Sequence, residues 1–317
     1  MRKALVVGLN YYPQANDLFG CVNDAKRVSR LLKRHGDNML NFDVKEIYGE
    51  KNTRLVSRRA LQSEITQLFT TSCDVALFYF AGHGYADDNG VFILTSECKD
   101  GDDGVPVSFI SNILQHSHAR NNIVIFDCCQ AGAMGQSAVF GDNALIPPNT
   151  TFLLACKEDQ YSQENNGNGV FTDLLVDALS GGASNLVGEI SPGSVYSYID
   201  QALSLWEQRP VFKTNVEKFI SIRNVKPPIS LDDLRQINKL FPTVTYKFPL
   251  DPSYEPTSEC ADKENTKVFS ILQKYNRLNL LVPVNEEHMY YAAINSQTCE
   301  LTPLGVHYWN LVEKDRI

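Results

Sequence analysis

Ile123-Val124-Ile125-Phe126-Asp127-Cys128-Cys129-Gln130-Ala131-Gly132 decides how the rest of this chain is read. The stretch opens as a β-branched and aromatic run, the signature of a buried strand. It closes on an acid, two thiols and small residues, where the chain must leave the sheet. In parallel α/β folds, sites form outside the carboxyl ends of the strands. A second stretch has the same layout: the apolar run Val75-Ala76-Leu77-Phe78-Tyr79-Phe80 leads into Ala81-Gly82-His83-Gly84-Tyr85. An imidazole and a thiol at two strand ends, 46 positions apart, meet only if those strands are neighbours in one sheet. A thiol is mostly protonated at neutral pH, so a nucleophilic cysteine needs such a base.

The chain has 317 residues and is 43% hydrophobic, enough for one large or two smaller domains with a sizeable core. Its net charge of −8 argues against general nucleic-acid binding. The apolar run after Met1-Arg2-Lys3 is too short for a signal peptide and reads as a first strand. No run approaches ~18 apolar residues, so no membrane span is expected. A cytoplasmic location, with reduced cysteines, is the default for such a chain.

Going outward from the opening stretch, strands are expected over residues 3–7, 42–48, 91–94, 151–155 and 217–222. Helices are expected over 22–34, 53–69, 107–116, 170–179 and 195–206. In the second of these the apolar stripe is Leu55, Leu61, Ile65, Leu68 and Phe69. Strands alternating with helices imply a mainly parallel α/β sheet covered on both faces. The segment from Ala133 to Pro148 has small residues early and Pro147-Pro148 late, a loop signature. It holds no Arg or Lys.

Pro227-Pro228 marks a boundary. Beyond it a linker with a short helix over 231–240 fills residues 227–264. Residues 265–317 read as helix (268–281), strands including 289–294, and a helix from Leu301 to Glu313, a small winged-helix-like module. Residues 231–317 carry nine Lys or Arg against twelve Asp or Glu, without the basic stripe of a DNA reader. Recruitment of a protein partner, or regulation, suits this module better.

Four motifs then combine: Phe80-Ala81-Gly82-His83-Gly84, Asp127-Cys128-Cys129-Gln130-Ala131-Gly132, Gly8-Leu9-Asn10-Tyr11-Tyr12 and Gly20-Cys21-Val22-Asn23-Asp24-Ala25. Over residues 1–224 the chain resembles the caspase-like cysteine peptidases, most closely the prokaryotic and metacaspase branch. The resemblance implies a six-stranded caspase-like sheet in a domain over 1–226, with a p20-like part (1–140) and a p10-like part (150–224). It implies endopeptidase activity on protein substrates, with Cys129 as nucleophile and His83 as base. Cys128 is then the variable middle residue of the Asp-x-Cys triplet. Asp127 and Asp24, with Cys21 as neighbour, match the acid-lined S1 pocket that selects Arg or Lys before the scissile bond. Asp159 falls where the second subdomain approaches substrate. A small hydroxyl residue often precedes the Gly-His pair in this family; here Ala81 stands there. Because the Ala133–Pro148 loop holds no Arg or Lys, self-cleavage there after a basic residue is not expected.

In the chemistry so implied, the N–H groups of Gly84 and Cys129 serve as oxyanion donors. Acyl transfer needs no metal or cofactor. Many metacaspases respond to calcium, which leaves calcium open as an activator; the turn with Asp100, Asp102 and Asp103 reads first as a solvated acidic loop. Bacterial relatives accompany defence and programmed-death systems, an association carried by resemblance alone. The plainer readings stay open from residues alone: Cys129 as a buried structural thiol, Asp127 as a turn cap and Asp24 as a helix N-terminal acid. A catalytically silent caspase-like scaffold, acting through its C-terminal module, is the alternative function.

Overall fold

The computed structural model describes residues 1–53, 55–88, 90–128, 146–155, 164–165, 168–203 and 210–317. Cys129, Asp159 and residues 133–145 of the expected loop lie outside the described residues. Two compact units are present, Met1–Lys226 and Pro227–Ile317.

The first unit is built on a six-stranded sheet. In chain order its elements are β1 (Arg2–Leu9), α1 (Cys21–Lys33), β2 (Asp43–Gly49), α2 (Arg58–Thr70) and β3 (Val75–Gly82). A small antiparallel sheet follows, made by β4 (Gly84–Asp87), β5 (Gly90–Ile93) and β6 (Val105–Pro106). Then come α3 (Val107–Gln115), β7 (Asn122–Cys128), β8 (Thr150–Leu154), α4 (Val170–Asp177), α5 (Pro192–Ala202) and β9 (Val211–Asn215). The main sheet runs β9-β8-β7-β3-β1-β2, parallel throughout except for β9, which pairs antiparallel to β8 at one edge.

Each central strand divides its side chains between two cores. Leu5, Val7, Phe78, Phe80, Val124 and Phe126 pack under α2 and α3. Ala4, Val6, Leu77, Tyr79, Ile123 and Ile125 pack under α1, α4 and α5. That is the two-residue period of a strand with both faces covered. All eight residues of β3 are buried, as expected for a strand inside such a sheet. Neighbouring positions along β7 therefore face different layers. Cys128 joins the α2/α3 layer, and strand alternation sends Asp127 toward α1 and α4.

Three expectations in this unit shift. The edge strand is Val211–Asn215, not residues 217–222. The later stretch does bury Ile222, and Phe219 lies 6.1 Å from Phe212, ring to ring, but it forms no ladder with β8. Alternating apolar residues predict a buried face; only the hydrogen-bond partner fixes which stretch is the strand. The second helix begins at Arg58, because Ser57 accepts the Ala60 N–H as its N-cap, and this leaves Leu55 exposed outside the stripe. The helix expected over 195–206 starts three residues earlier, at Pro192, behind a Ser191/Ser194 capping box.

The second unit is α+β. The segment expected as a linker belongs to it: Leu234, Ile237 and Phe241 are fully buried, in and after two one-turn helices, Leu231–Leu234 and Ile237–Leu240. Asp262 caps α6 (Lys263–Arg277), which starts before the expected 268 and stops short of Leu281. Strands β10 (Leu281–Val284) and β11 (Thr298–Leu301) pair antiparallel, and Phe248–Pro249 extends this sheet beyond β11. Residues Met289–Ile294, expected as a strand, form α7, the helix that links β10 to β11. Its buried positions are Met289, Ala292 and Ala293, a helical spacing that the adjacent Tyr290 and Tyr291 masked with their β propensity. Thr302 caps α8 (Pro303–Glu313), as its Thr-Pro start implies.

Candidate active site

Strands β3 and β7 are direct neighbours, with Ala81 opposite Asp127 and Gly82 opposite Cys128. The residues that follow this last pair in sequence are His83 and Cys129. The requirement that the two strand ends adjoin is thus met in the described ladder. Gly84 opens β4 directly after the histidine.

The loop after β1 holds His83. Its backbone N–H donates to the Tyr12 hydroxyl at 2.9 Å, and the Tyr12 ring lies 4.7 Å from the imidazole. The Nε2 of His83 is 2.7 Å from the Asn16 carbonyl oxygen. A carbonyl only accepts, so in the neutral ring Nε2 carries the proton and Nδ1 is the basic nitrogen. Tyr12 is fully buried, and burial raises its hydroxyl well above the usual tyrosine range. It stays a neutral phenol at physiological pH.

The same loop positions α1. Asn10 accepts the Val22 N–H at 3.0 Å through Oδ1 and donates to the Phe19 carbonyl at 3.2 Å. Gly8 permits the close approach of this helix: a Cβ there would overlap the Cys21 carbonyl and the Ala25 side chain. The Gly8–Tyr12 motif therefore ties the first strand to the histidine and to the helix that carries Cys21 and Asp24.

Asp24 is 2% exposed and Asp127 is 7% exposed, and Cys21 is buried near them. Both acids act on one group. The Tyr79 hydroxyl is raised well above its ordinary range, first by burial, then by the charges of Asp127 and Asp24. Thr172, in the first turn of α4, donates to Asp127 Oδ2 at 2.6 Å and lies 2.7 Å from Tyr79 Oη. A carboxylate only accepts, so the proton order is fixed: Tyr79 donates to Thr172, and Thr172 donates to Asp127. The next residue, Asp173, pairs with Arg27 Nη1, which also lies 3.3 Å from Asp24 Oδ1. Two adjacent residues of α4 thus reach the two acids, one directly and one through Arg27. Ala81 sits opposite Asp127 in the ladder, with no hydroxyl to offer.

The residues brought together are thus His83, Asp127, Asp24 and Cys21, on three segments of the first unit: the end of β3, β7 and α1. Tyr12, Asn16, Arg27, Thr172 and Asp173 join them and were not anticipated. Tyr12 lay inside a quoted motif but had no role assigned; the others carry no local signal. In the acidic turn, Asp103 Oδ2 accepts the Lys99 N–H at 3.4 Å. Among the described residues no three His, Cys, Asp or Glu side chains group as metal ligands.

The caspase domain model matches residues 1–225. The chain belongs to the caspase-domain family of peptidases. Similar proteins include metacaspases. Metacaspase-1 of Botryotinia fuckeliana is 27% identical over 209 residues, covering 59% of this chain and 46% of that protein. Metacaspase-7 of Arabidopsis thaliana is 26% identical over 192 residues, covering 55% of this chain and 45% of the relative. The chain thus spans less than half the length of these curated relatives. Among solved structures, caspase-1 from Spodoptera frugiperda superposes with a TM-score of 0.51 at 12% identity, covering 71% of this chain and 91% of that one. A protein of Geobacter sulfurreducens gives 0.52 at 18% identity, covering 71% of this chain and all of the other. These likenesses establish the caspase-like fold, and the family match covers all but the last residue of the first unit. Among the described residues no helix is long and apolar enough to cross a membrane.

Proposed function

We propose that this chain is a cysteine endopeptidase in which Cys129 is the nucleophile, His83 the base, and Asp127 with Asp24 the selector for Arg or Lys before the scissile bond. The observation that carries the reading is the β3/β7 register, which ends on Gly82 and Cys128 just before the two reacting residues in sequence. The Asn16 carbonyl favours the tautomer with a basic Nδ1. That nitrogen takes the thiol proton, and the sulfur attacks the peptide carbonyl carbon. The C–N bond breaks as His83 returns the proton to the leaving amine. Water then hydrolyses the thioester. Gly84 and Cys129 supply N–H groups for the oxyanion in this proposal. Two buried carboxylates favour a substrate cation over a neutral side chain, because low polarity strengthens the attraction. Asp159 is retained as a further pocket acid, calcium as an activator, and the second unit as the docking site of a protein regulator. A cytoplasmic defence or cell-death setting rests on family resemblance alone.

The test is hydrolysis of fluorogenic peptides with Arg, Lys, Leu or Asp before the cleaved bond, with and without calcium. Cleavage after Arg and Lys is expected, falling at least about a thousandfold in Cys129→Ala and in His83→Ala. Cleavage after Leu or Asp alone would keep the peptidase and remove the role given to Asp127 and Asp24. No cleavage under any condition would favour the silent scaffold.

A further inference from the structure

The buried carboxylate of Asp24 already holds a guanidinium. Arg27 is one helical turn further along α1, and its Nη1 lies 3.3 Å from Asp24 and in contact with Asp173. The Asp24 side chain is 3% exposed and that of Arg27 is 23% exposed, so the pair is largely withdrawn from water. A buried acid without a counter-ion is costly, and here the chain supplies its own. The planar fork of arginine suits a guanidinium site better than an ammonium would.

Resting on the peptidase reading, we propose that Arg27 is a resident cation in the substrate pocket, which stabilises the pocket when empty and sets how tightly an incoming Arg side chain binds. The incoming guanidinium enters a site holding Asp24 and Asp127, with Arg27 as the internal positive charge and Asp173 behind it. It must share Asp24 with Arg27 or push Arg27 wholly onto Asp173. Asp173 is the more exposed partner, at 41%, and gives Arg27 a place to go. Arg27 is therefore a determinant of substrate affinity, separate from the bond-breaking groups at His83 and Cys129.

The experiment compares wild type, Arg27→Gln, Arg27→Gln/Asp24→Asn, Asp173→Asn and Arg27→Gln/Asp173→Asn. Thermal melts are recorded with and without agmatine, a free guanidinium probe, and KM and kcat are measured on an Arg peptide. Arg27→Gln is expected to melt lower than wild type and to be raised several degrees by agmatine. Wild type and Arg27→Gln/Asp24→Asn respond little. On the Arg peptide, Arg27→Gln lowers KM about tenfold while kcat changes less than twofold, since the chemistry lies elsewhere. Asp173→Asn confines Arg27 to Asp24 and raises KM. Acting only through Arg27, the Asp173 substitution has little effect once Arg27 is gone. If agmatine fails to stabilise Arg27→Gln, or if KM rises in that variant, Arg27 is a strut between two helices and the proposal is wrong. Should Arg27→Gln not fold, an unchanged or lowered KM in the milder Asp173→Asn overturns it equally. Failure of wild type to cleave the Arg peptide removes the Arg-selecting role of the pocket instead, failure on every peptide sinks the peptidase reading, and the agmatine melts still decide the role of Arg27.

Discussion

At the scale of single residues, the two groups proposed to react could be named from the chain, and the side chains around them could not. His83 and Cys129 each follow an apolar run, and a strand end is a local property of sequence. Thr172 is 45 positions from Asp127 and begins an ordinary helix, so nothing near it announces that its hydroxyl joins Tyr79 to Asp127. Thr172→Val keeps the shape and removes that hydroxyl. Two buried groups then lose their shared partner, a loss of about 1–3 kcal/mol. Urea melts are expected to show that loss. KM for an Arg peptide should rise more than kcat falls, because Asp127 loses the group that orients it. A variant with wild-type stability and KM would mean that the Tyr79–Thr172–Asp127 chain plays no part in the pocket.

Elements were legible where their pattern is local, and less so where partners decide. The alternation of strands and helices through the first unit is written in apolar spacing and capping residues. The edge strand at Val211–Asn215 was not, because residues 217–222 carry apolar alternation without the ladder. The helix at Met289–Ile294 was obscured by two tyrosines on its exposed side. At the end of β3 the packing is tight enough to test. A Cβ at Gly82 would overlap the Tyr12 hydroxyl and the Phe80 ring. Both neighbours are buried, and the ladder to β7 fixes the backbone. Gly82→Ala should therefore lower stability by about 1–3 kcal/mol. It should also depress kcat beyond that loss, because Tyr12 holds the His83 N–H. Adding Tyr12→Phe removes the overlapping oxygen, so the double variant should melt higher than Gly82→Ala while kcat stays low. Equal melting of single and double variants would show that the overlap with Tyr12 is not what destabilises Gly82→Ala.

On the scale of the whole molecule, the Pro227-Pro228 step coincides with the start of the second compact unit. Both hydrophobic clusters around the six-stranded sheet draw only on residues up to Val225. The second unit buries its own set, including Phe241, Phe269, Leu272, Tyr275 and Leu281. A unit of more than 200 residues with a two-layer core is large enough to fold without help. A fragment ending at Lys226 is therefore expected to unfold in one cooperative transition and to keep the far-UV signature of an α/β protein. It contains every residue proposed to act in catalysis or selection, since Cys129, His83, Asp24 and Asp127 all precede the boundary. The fragment should cleave the Arg peptide with the KM of the full chain. Its kcat then reports on the second unit: a rise identifies that unit as an inhibitor, and an unchanged value points to recruitment. A fragment that aggregates, or melts over a broad range, would show that the second unit is needed to complete the fold of the first. Regulation by the second unit would then have to act without its release.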